Sequence, residues 1–325
     1  MRSALLIVSP LRRRRSAKSS PSDSPAARAR VFCEVSSGSS SIDPEMRVRD
    51  ILPVWRLERF IEHRRNRRTR FFTEEMLRYN IEAAQRHGVE AACHPQDFIY
   101  EFVVRHMSFS SIKQAVDYYF DDGARSAEKF RAIVRDLMFP EHRLHILEFA
   151  SGYGCVTRHL KKNQAWSLVA CDIHSEAVEF LRSKLGVRPL MSVHAPENFS
   201  FDEKFDVIFA LSFFSHMPRA TWGRWVKALF SHLKSPGYLV FTTHGLASRK
   251  AHGDPEIPID GFWFTAMSEQ DDLSTTEHGS TIVTPEFVIR EVYEQTGEQV
   301  FDYKHAFWWG HQDLWVAKKN FEHSN

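Results

Sequence analysis

Apolar and polar positions follow two different periods along the chain, and the change of period divides the chain into two parts. From residue 48 to residue 138, apolar positions recur at three- and four-residue spacing, which is the period of amphipathic helices. From residue 146 onward, short apolar runs of strand length alternate with helical stretches. This alternation predicts an α/β domain that follows a helical region.

The amino-terminal part is predicted to consist of helices. Its pattern is interrupted around Gly123. Many of its positions are aromatic and must pack against something, and ligand pockets favour junctions between domains. We therefore expect residues 46–138 to form a cap over a core at residues 139–320. The predicted helices are Val48–His87, Pro95–His106, Ser110–Phe120 and one that resumes at Ser126.

The second part contains the apolar runs expected of a parallel sheet, whose strands are buried on both faces. A long segment with few regular apolar repeats, Gly245–Thr281, is expected to form a lid or wall of a substrate site. The predicted strands are 146–149, Ser167–Cys171, Pro189–Val193, Phe205–Ser212, Tyr238–Thr243, Val300–Ala306 and Gln312–Ala317. The predicted helices between them are Ser175–Leu185, Arg219–Leu233 and Pro285–Thr296.

A glycine-containing turn follows the first predicted strand. Gly152 can adopt dihedral angles that other residues avoid, and Gly154 has no Cβ to block a ligand that lies against the main chain. The helix after the turn offers unpaired N–H groups and the positive end of its dipole. A nicotinamide-binding fingerprint would require a third glycine, where Thr157 stands. The turn is therefore expected to bind a different ligand.

The spacing Glu148-x-x-x-Gly152-x-Gly154 resembles the first motif of class I S-adenosyl-L-methionine (SAM)-dependent methyltransferases. In that family the acidic residue helps to hold the methionine end of the cofactor. Asp172 lies twenty residues past Gly152, at the spacing of a carboxylate that meets ribose hydroxyls, although it could instead cap the next helix. The resemblance implies a SAM site that consists of Glu148, Ala150, Gly152, Gly154, Asp172, Ile173 and Leu211.

The resemblance extends over Glu141–Lys319. The opening Phe205-Asp206-Val207-Ile208 is similar to the fourth strand of the family, and the last two predicted strands are similar to its terminal strand pair, in which the final strand is antiparallel. The chain departs from the family at 192–197, where an acidic residue that contacts adenine is often found. The implied fold is a Rossmann-like, doubly wound sheet with a terminal antiparallel strand and a helical cap, as in bacterial members.

Two histidines follow predicted strands at the edge where an open α/β sheet binds its ligands. His216 and His244 are therefore candidate general bases for an oxygen or nitrogen nucleophile. The alternative is structural: a hydrogen bond at a helix start for His216 and a turn contact for His244. No histidine–cysteine grouping has zinc spacing, so no metal is expected.

The composition indicates which partners and which cellular compartment to expect. A net charge of +2 makes no case for binding nucleic acid or membranes. Four cysteines without a C-x-x-C pair fit a reduced, cytoplasmic protein, and residues 321–325 read as a tail. The Arg- and Ser-rich leader, residues 1–45, has little to bury and is expected to be disordered. It could be a transit peptide, a nucleic-acid-binding tail or sequence upstream of a start at Met46.

These features predict a SAM-dependent methyltransferase that acts on a small-molecule acceptor. Three aromatic clusters are expected to surround the acceptor or to pack in the core: Tyr118–Phe120, Phe262–Phe264 and Phe307–Trp309. The basic run His63–Arg70 is either a solvated helix face or a site for an anionic partner. The alternative functions are a non-catalytic protein of the same fold that binds SAM, and an NAD-dependent oxidoreductase. The oligomeric state and the methylated atom are left open.

Overall fold

The computed structural model of the chain describes residues 72–106, 109–137, 143–266, 273–274 and 277–321. The predicted leader, the first part of the cap at 46–71 with its basic run, and all but the first residue of the tail lie outside these residues. In the described part of the chain, no helix is long and apolar enough to cross a membrane.

Three helices form the described part of the cap, namely α1 (Glu74–His87), α2 (Phe98–His106) and α3 (Ile112–Asp136). The side chain of Thr73 caps α1 by accepting a hydrogen bond from the N–H of Met76, and Ser111 caps α3 in the same way. The apolar faces of the three helices meet in one cluster that includes Met76, Tyr100, Val116, Tyr119 and Phe120.

Helix α3 continues through Gly123, so the predicted interruption of the helical pattern is wrong. A Cβ atom at Gly123 would lie 2.3 Å from the backbone oxygen of Cys155. The glycine therefore allows α3 to pack closely on the segment that follows the first strand. The gain from this contact outweighs the low helix propensity of glycine, which costs about 1 kcal/mol.

The described residues from 143 onward form nine strands and four further helices. The strands are β1 (Leu144–Phe149), β2 (Trp166–Asp172), β3 (Arg188–Met191), β4 (Phe205–Ala210), β5 (Leu233–His244), β6 (Phe262–Thr265), β7 (Ser280–Val283), β8 (Val300–Trp308) and β9 (Gln312–Lys319). The helices are α4 (Thr157–Leu160), α5 (Ser175–Ser183), α6 (Arg219–Ser231) and α7 (Pro285–Thr296), and short 3₁₀ turns cover Pro196–Asn198 and Leu246–His252.

The sheet has the predicted doubly wound topology. Strands β3, β2, β1, β4 and β5 are parallel neighbours in that order, and Ile146 of β1 lies opposite Val207 of β4. Strand β9 runs antiparallel to both β5 and β8 and therefore lies between them. The predicted α/β fold with an antiparallel terminal strand is confirmed.

The segment predicted to be a lid or wall adds two strands to this sheet. Strand β7 pairs with β5 only at His244, whereas the pairing of β4 with β5 ends at Phe241. Because β9 occupies the other edge of β5 at His244, the β6–β7 hairpin lies in line with β4, beyond its carboxyl end. The hairpin thus borders the edge where the strands end.

Apolar side chains cover both faces of the sheet. One face packs against α6 and α7 through residues such as Trp222, Leu229 and Phe287. The other face packs against the second half of α3, where the ring of Phe130 stacks on that of Phe209 at 4.2 Å. Helix α3 therefore contributes to the cap with its first half and to the sheet core with its second half.

Candidate functional site

The chain makes a strained turn as it leaves β1. Ala150, Gly152 and Gly154 all have positive φ angles, of 56°, 55° and 78°. For the alanine this left-handed conformation costs about 1–2 kcal/mol, and such strain is often found at ligand sites. The N–H of Gly152 donates to Oδ2 of Asp172 at 2.7 Å, which holds the turn against the end of β2.

Asp172 links two turns at the carboxyl edge of the sheet. Its Oδ1 accepts from the N–H of His174 at 3.0 Å, while Oδ2 accepts from Gly152. The residue before α5 is His174, and its side chain makes no capping hydrogen bond. Asp172 thus organises the turn. Nδ1 of His174 also lies 2.9 Å from Oδ1, so the lone pair that is left for another donor is on Oδ2.

Glu148 is buried one residue before the end of β1. Within the described residues its Oε2 has no hydrogen-bond partner. Burial raises the pKa of this carboxyl group to about 8, and the nearby charge of Asp172 adds to the effect. An unpaired acceptor in a buried position is costly, and it is stabilised when a donor or a cation binds.

The ends of β1, β2, β4 and β5 surround a cavity of about 600 Å³, within the range of small-molecule sites. Six of the seven predicted cofactor residues line this cavity. They are Glu148, Ala150, Gly152, Asp172, Ile173 and Leu211.

Gly154 is the exception, because it is buried behind the turn. A Cβ atom there would lie 2.4 Å from a side-chain methyl carbon of Leu185. In this structure the glycine makes room for the apolar packing beyond α5, and its role in cofactor binding stays a prediction. At Gly152 a Cβ atom would meet nothing within 4 Å, so this glycine borders open space.

The residues after β3 line the part of the cavity beyond Asp172. Ser192, Val193 and His194 all face it, and the N–H of Ser192 donates to the backbone oxygen of Asp172 at 2.8 Å. The residues directly after β3, Ser192–Ala195, include no acidic residue, but the fold brings one from elsewhere. Oε2 of Glu277 lies 3.1 Å from Nδ1 of His194, across 83 residues of sequence. No local signal identifies such a contact.

The turn after β4 is held by a polar network. Ser212 has a φ of 58°, and its N–H donates to Oγ1 of Thr242 at 2.8 Å. Nε2 of Gln312 donates to Oγ of Ser212 at 2.9 Å, and Oε1 of Gln312 accepts from Thr242 at 2.7 Å. These bonds fix Leu211 and Ser212 at the centre of the cavity wall.

Both predicted histidines line the same cavity. Nδ1 of His216 lies 2.9 Å from the backbone oxygen of Gly279, and a carbonyl only accepts, so Nδ1 carries the hydrogen. His244 is buried at the end of β5, its ring centroid is 6.0 Å from that of His216, and its Nδ1 has no partner among the described residues. Burial lowers the pKa of both imidazoles.

The cap closes the cavity from above the strand ends. Phe98 and Phe102 of α2 and Tyr118 and Asp122 of α3 contribute to its lining. Nε1 of Trp309 donates to Oδ1 of Asp122 at 2.9 Å, which connects the cap to the turn between β8 and β9. Burial raises the pKa of Asp122.

The predicted aromatic clusters do not converge as units. Tyr118 and Trp309 line the cavity, whereas Trp308 lies in the core and donates from Nε1 to Oγ of Ser126 at 3.1 Å. Within the described chain, none of Phe262–Phe264 lines the cavity. Consecutive residues point in different directions from a helix or strand, so one member of a cluster can face a ligand while its neighbours pack.

A family model described as a methyltransferase domain matches residues 147–239, from the middle of β1 into β5. The match includes the glycine turn, Asp172 and His216, and the antiparallel position of β9 is the feature that the resemblance implied. Residues 147–239 therefore match a methyltransferase domain, which is what the resemblance to class I SAM-dependent methyltransferases implied. The cofactor is SAM, and the family resemblance seen in the sequence is confirmed.

A search of curated proteins gave no match. Solved structures with similar folds include a glycopeptide N-methyltransferase, MtfA, in complex with SAM, at 15% identity and a TM-score of 0.45, covering 62% of this chain and 95% of that one. Another is a SAM-dependent methyltransferase from Clostridium acetobutylicum, at 15% identity and a TM-score of 0.46, covering 68% of this chain and 96% of that one. A third is 1,6-didemethyltoxoflavin-N1-methyltransferase from Burkholderia thailandensis, at 12% identity and a TM-score of 0.44, covering 70% of this chain and 92% of that one. At such low identities these likenesses say nothing about the acceptor.

Proposed function

We propose that this protein transfers the methyl group of SAM to an oxygen or nitrogen atom of a small-molecule acceptor. The observation that carries the proposal is that His216 and His244 share one cavity with the glycine turn and Asp172. A site for the cofactor and a pair of neutral bases therefore lie within reach of a single bound acceptor.

The residues at β1 and β2 fit the cofactor. SAM carries an ammonium group, and the unpaired Oε2 of Glu148 is a buried acceptor suited to a cation. Oδ2 of Asp172 keeps a lone pair for a ribose hydroxyl, and the open space at Gly152 lets the cofactor lie against the main chain. When bound, SAM supplies an electrophilic methyl group.

His216 is suited to remove the proton of the acceptor. Its Nδ1–H is fixed by Gly279, which leaves the lone pair at Nε2. The lowered pKa keeps the ring neutral at physiological pH, so Nε2 is ready to accept a proton as the nucleophile forms. His244, buried beside it, is the second candidate for this role.

The walls of the cavity favour a small acceptor over a nucleic acid. Among the described lining residues, Arg224 is the only lysine or arginine, and its guanidinium is paired with the carboxylate of Glu197. A polyanion would need several unpaired cations. Apolar side chains of the cap, such as Phe98 and Phe102, exclude water from the strand ends.

The experiment is to incubate the purified protein with isotopically labelled SAM and a panel of small hydroxyl and amine compounds, and to detect methylated products by mass spectrometry. Labelled product that is lost in His216→Asn would support the proposal. Binding of S-adenosylhomocysteine (SAH) without product from any panel member would favour a non-catalytic SAM-binding protein. Binding of NAD without SAH would favour an oxidoreductase.

A further inference from the structure

Five histidines from distant parts of the chain line one side of the cavity. We call this side the histidine compartment and define it by His216, His244, His252, His278 and His311. The ring centroid of His244 lies 4.8 Å from that of His252, 5.9 Å from that of His311 and 6.0 Å from that of His216. The ring of His278 stacks on that of His216 at 4.7 Å.

Three of these imidazoles are fixed in the same tautomer by backbone carbonyl groups. Nδ1 lies 2.9 Å from the oxygen of Gly279 in His216, 2.9 Å from that of Ser248 in His252 and 3.3 Å from that of Trp309 in His311. Because a carbonyl oxygen only accepts, each Nδ1 donates and each neutral ring has its lone pair at Nε2. These three Nε2 atoms have no hydrogen-bond partner among the described residues.

At His216 and His311 the compartment therefore presents hydrogen-bond acceptors without positive charge. Burial lowers the pKa of His216, of His244 and of His311, and the neighbouring histidines oppose any added charge. A carboxylate or phosphate would need donors or cations, which neutral Nε2 atoms do not supply. A ligand that brings its own O–H or N–H groups matches the compartment.

The rings also provide flat surfaces. The planes of His216 and His278 are 7° apart, and those of Trp309 and His311 are 21° apart. Aromatic ligands pack favourably against such faces. Among the described residues, no group of histidines, cysteines and carboxylates is arranged to hold a metal ion, so the imidazoles are not explained as metal ligands.

We propose that the histidine compartment binds the methyl acceptor through the acceptor's own donor groups, and that the acceptor is an uncharged aromatic ring with at least two O–H or N–H groups. The inference rests on the proposed function and narrows its acceptor class. His252 and His311 act in it as specificity-determining residues, which hold the ring by accepting its hydrogen bonds.

The first test is a calorimetric titration of SAH-saturated protein with three probes, with EDTA in all solutions. The probes are catechol, which has two O–H groups, 1,2-dimethoxybenzene, which has the same ring without donors, and benzoate, which is an anion. We expect catechol to bind at least about tenfold more tightly than the other two, the value of one or two net hydrogen bonds. Equal binding of catechol and dimethoxybenzene, or tighter binding of benzoate, would overturn the proposal.

The second test uses His252→Asn and His311→Asn. Asparagine keeps an N–H near the position of Nδ1 but removes the acceptor at Nε2. Each variant should bind catechol about five- to tenfold more weakly and dimethoxybenzene as the wild type does. The control is His305→Asn, because His305 is an exposed residue of β8 that does not line the cavity. Variants that keep full catechol affinity would contradict the assignment.

SAH binding, measured first in every protein, separates the two proposals. If the wild type fails to bind SAH, the proposed function itself is wrong. If it binds SAH but shows no preference for catechol, only the acceptor class is wrong. Two changes at separate positions, together with a ligand series on the wild type, keep the test independent of the folding of any one variant.

Discussion

The two sides of the cavity use different chemistry for different tasks. At the ends of β1 and β2, the carboxylates of Glu148 and Asp172 and the open turn at Gly152 offer negative charge and exposed main chain. At the ends of β4 and β5, the histidine compartment offers neutral acceptors. The first arrangement suits a cationic cofactor, and the second suits a ligand that must give up a proton. A substitution on one side of the cavity should therefore impair the task of that side and leave the task of the other side unchanged.

The largest effect on the cofactor side is expected for Gly152→Val. A β-branched residue strongly disfavours a φ of 55°, and its side chain would enter the cavity. SAH binding should become undetectable by calorimetry. The matched control is Gly297→Val, which imposes similar strain at a φ of 74° at the end of α7, also with open space around it. Retained SAH affinity in Gly152→Val would contradict the assignment of the turn.

On the other side of the cavity, His216→Asn should reduce kcat about a hundredfold and leave SAH affinity unchanged, because only the base is lost. His232→Asn is the control, since this buried histidine also bonds a backbone oxygen through Nδ1, at 2.9 Å from Ala228, but lies outside the cavity. Steady-state kinetics with any substrate from the panel gives the answer. A normal kcat in His216→Asn would show that His216 is not the general base, so that either His244 is the base or no base is needed.

Asp172→Asn should weaken SAH binding by about 1.5–3 kcal/mol, because a charged acceptor of the ribose hydroxyls is lost. Asp206→Asn provides a control. Asp206 is also buried and accepts a backbone N–H, that of His145, at 2.7 Å, but it lies at the opposite end of β4. Its loss should lower thermal stability without changing SAH affinity. Equal losses of affinity in the two variants would indicate a general structural effect.

A further expected effect, on stability and not on activity, is a pH dependence that comes from Glu148. Its pKa is raised from 4.5 to about 8 in the fold, so its contribution to stability is complete below pH 4.5 and is lost as the pH rises towards 8. Relative to Glu148→Gln, the free energy of unfolding of the wild type should fall by at most about 1.4 kcal/mol for each pH unit in this window. Denaturant titrations of both proteins at several pH values measure the free energy of unfolding. If it depended on pH in the same way in the wild type and in Glu148→Gln, the prediction would be refuted.

Adding SAH gives a second comparison between the wild type and Glu148→Gln. SAH carries an ammonium group that favours the ionised form of Glu148, so saturation with SAH should reduce the pH-dependent loss in the wild type. The same addition should not change the pH dependence of Glu148→Gln. An equal effect of SAH on the two proteins would place the ammonium group away from Glu148.

The difference between the two sides also explains which residues could be predicted. The turn at Gly152 and the end of β2 at Asp172 are local features, each determined by a short run of sequence, and they were predicted. His278 and His311 reach the cavity through the β6–β7 hairpin and the turn before β9, so only long-range pairing brings them beside His244. No spacing in the sequence reports such contacts.

Two glycines show the same limit in another form. Glycine suggests a turn or a close approach, but the sequence does not state what approaches. Gly123 admits a backbone oxygen in the middle of a helix, and Gly154 admits the side chain of Leu185. Both are packing contacts between distant residues, so the helix was wrongly predicted to be interrupted at Gly123, and the contact of Gly154 with Leu185 was not predicted.

The continuity of α3 has a consequence for how ligands enter and leave. Its 25 residues make a rod about 37 Å long, with Tyr118 over the cavity and Phe130 stacked on the sheet. A hinge at Gly123 would leave this rod in two pieces, and the close contact with Cys155 opposes that. We therefore expect α3 to stay in place as a fixed wall of the cavity while cofactor and product exchange.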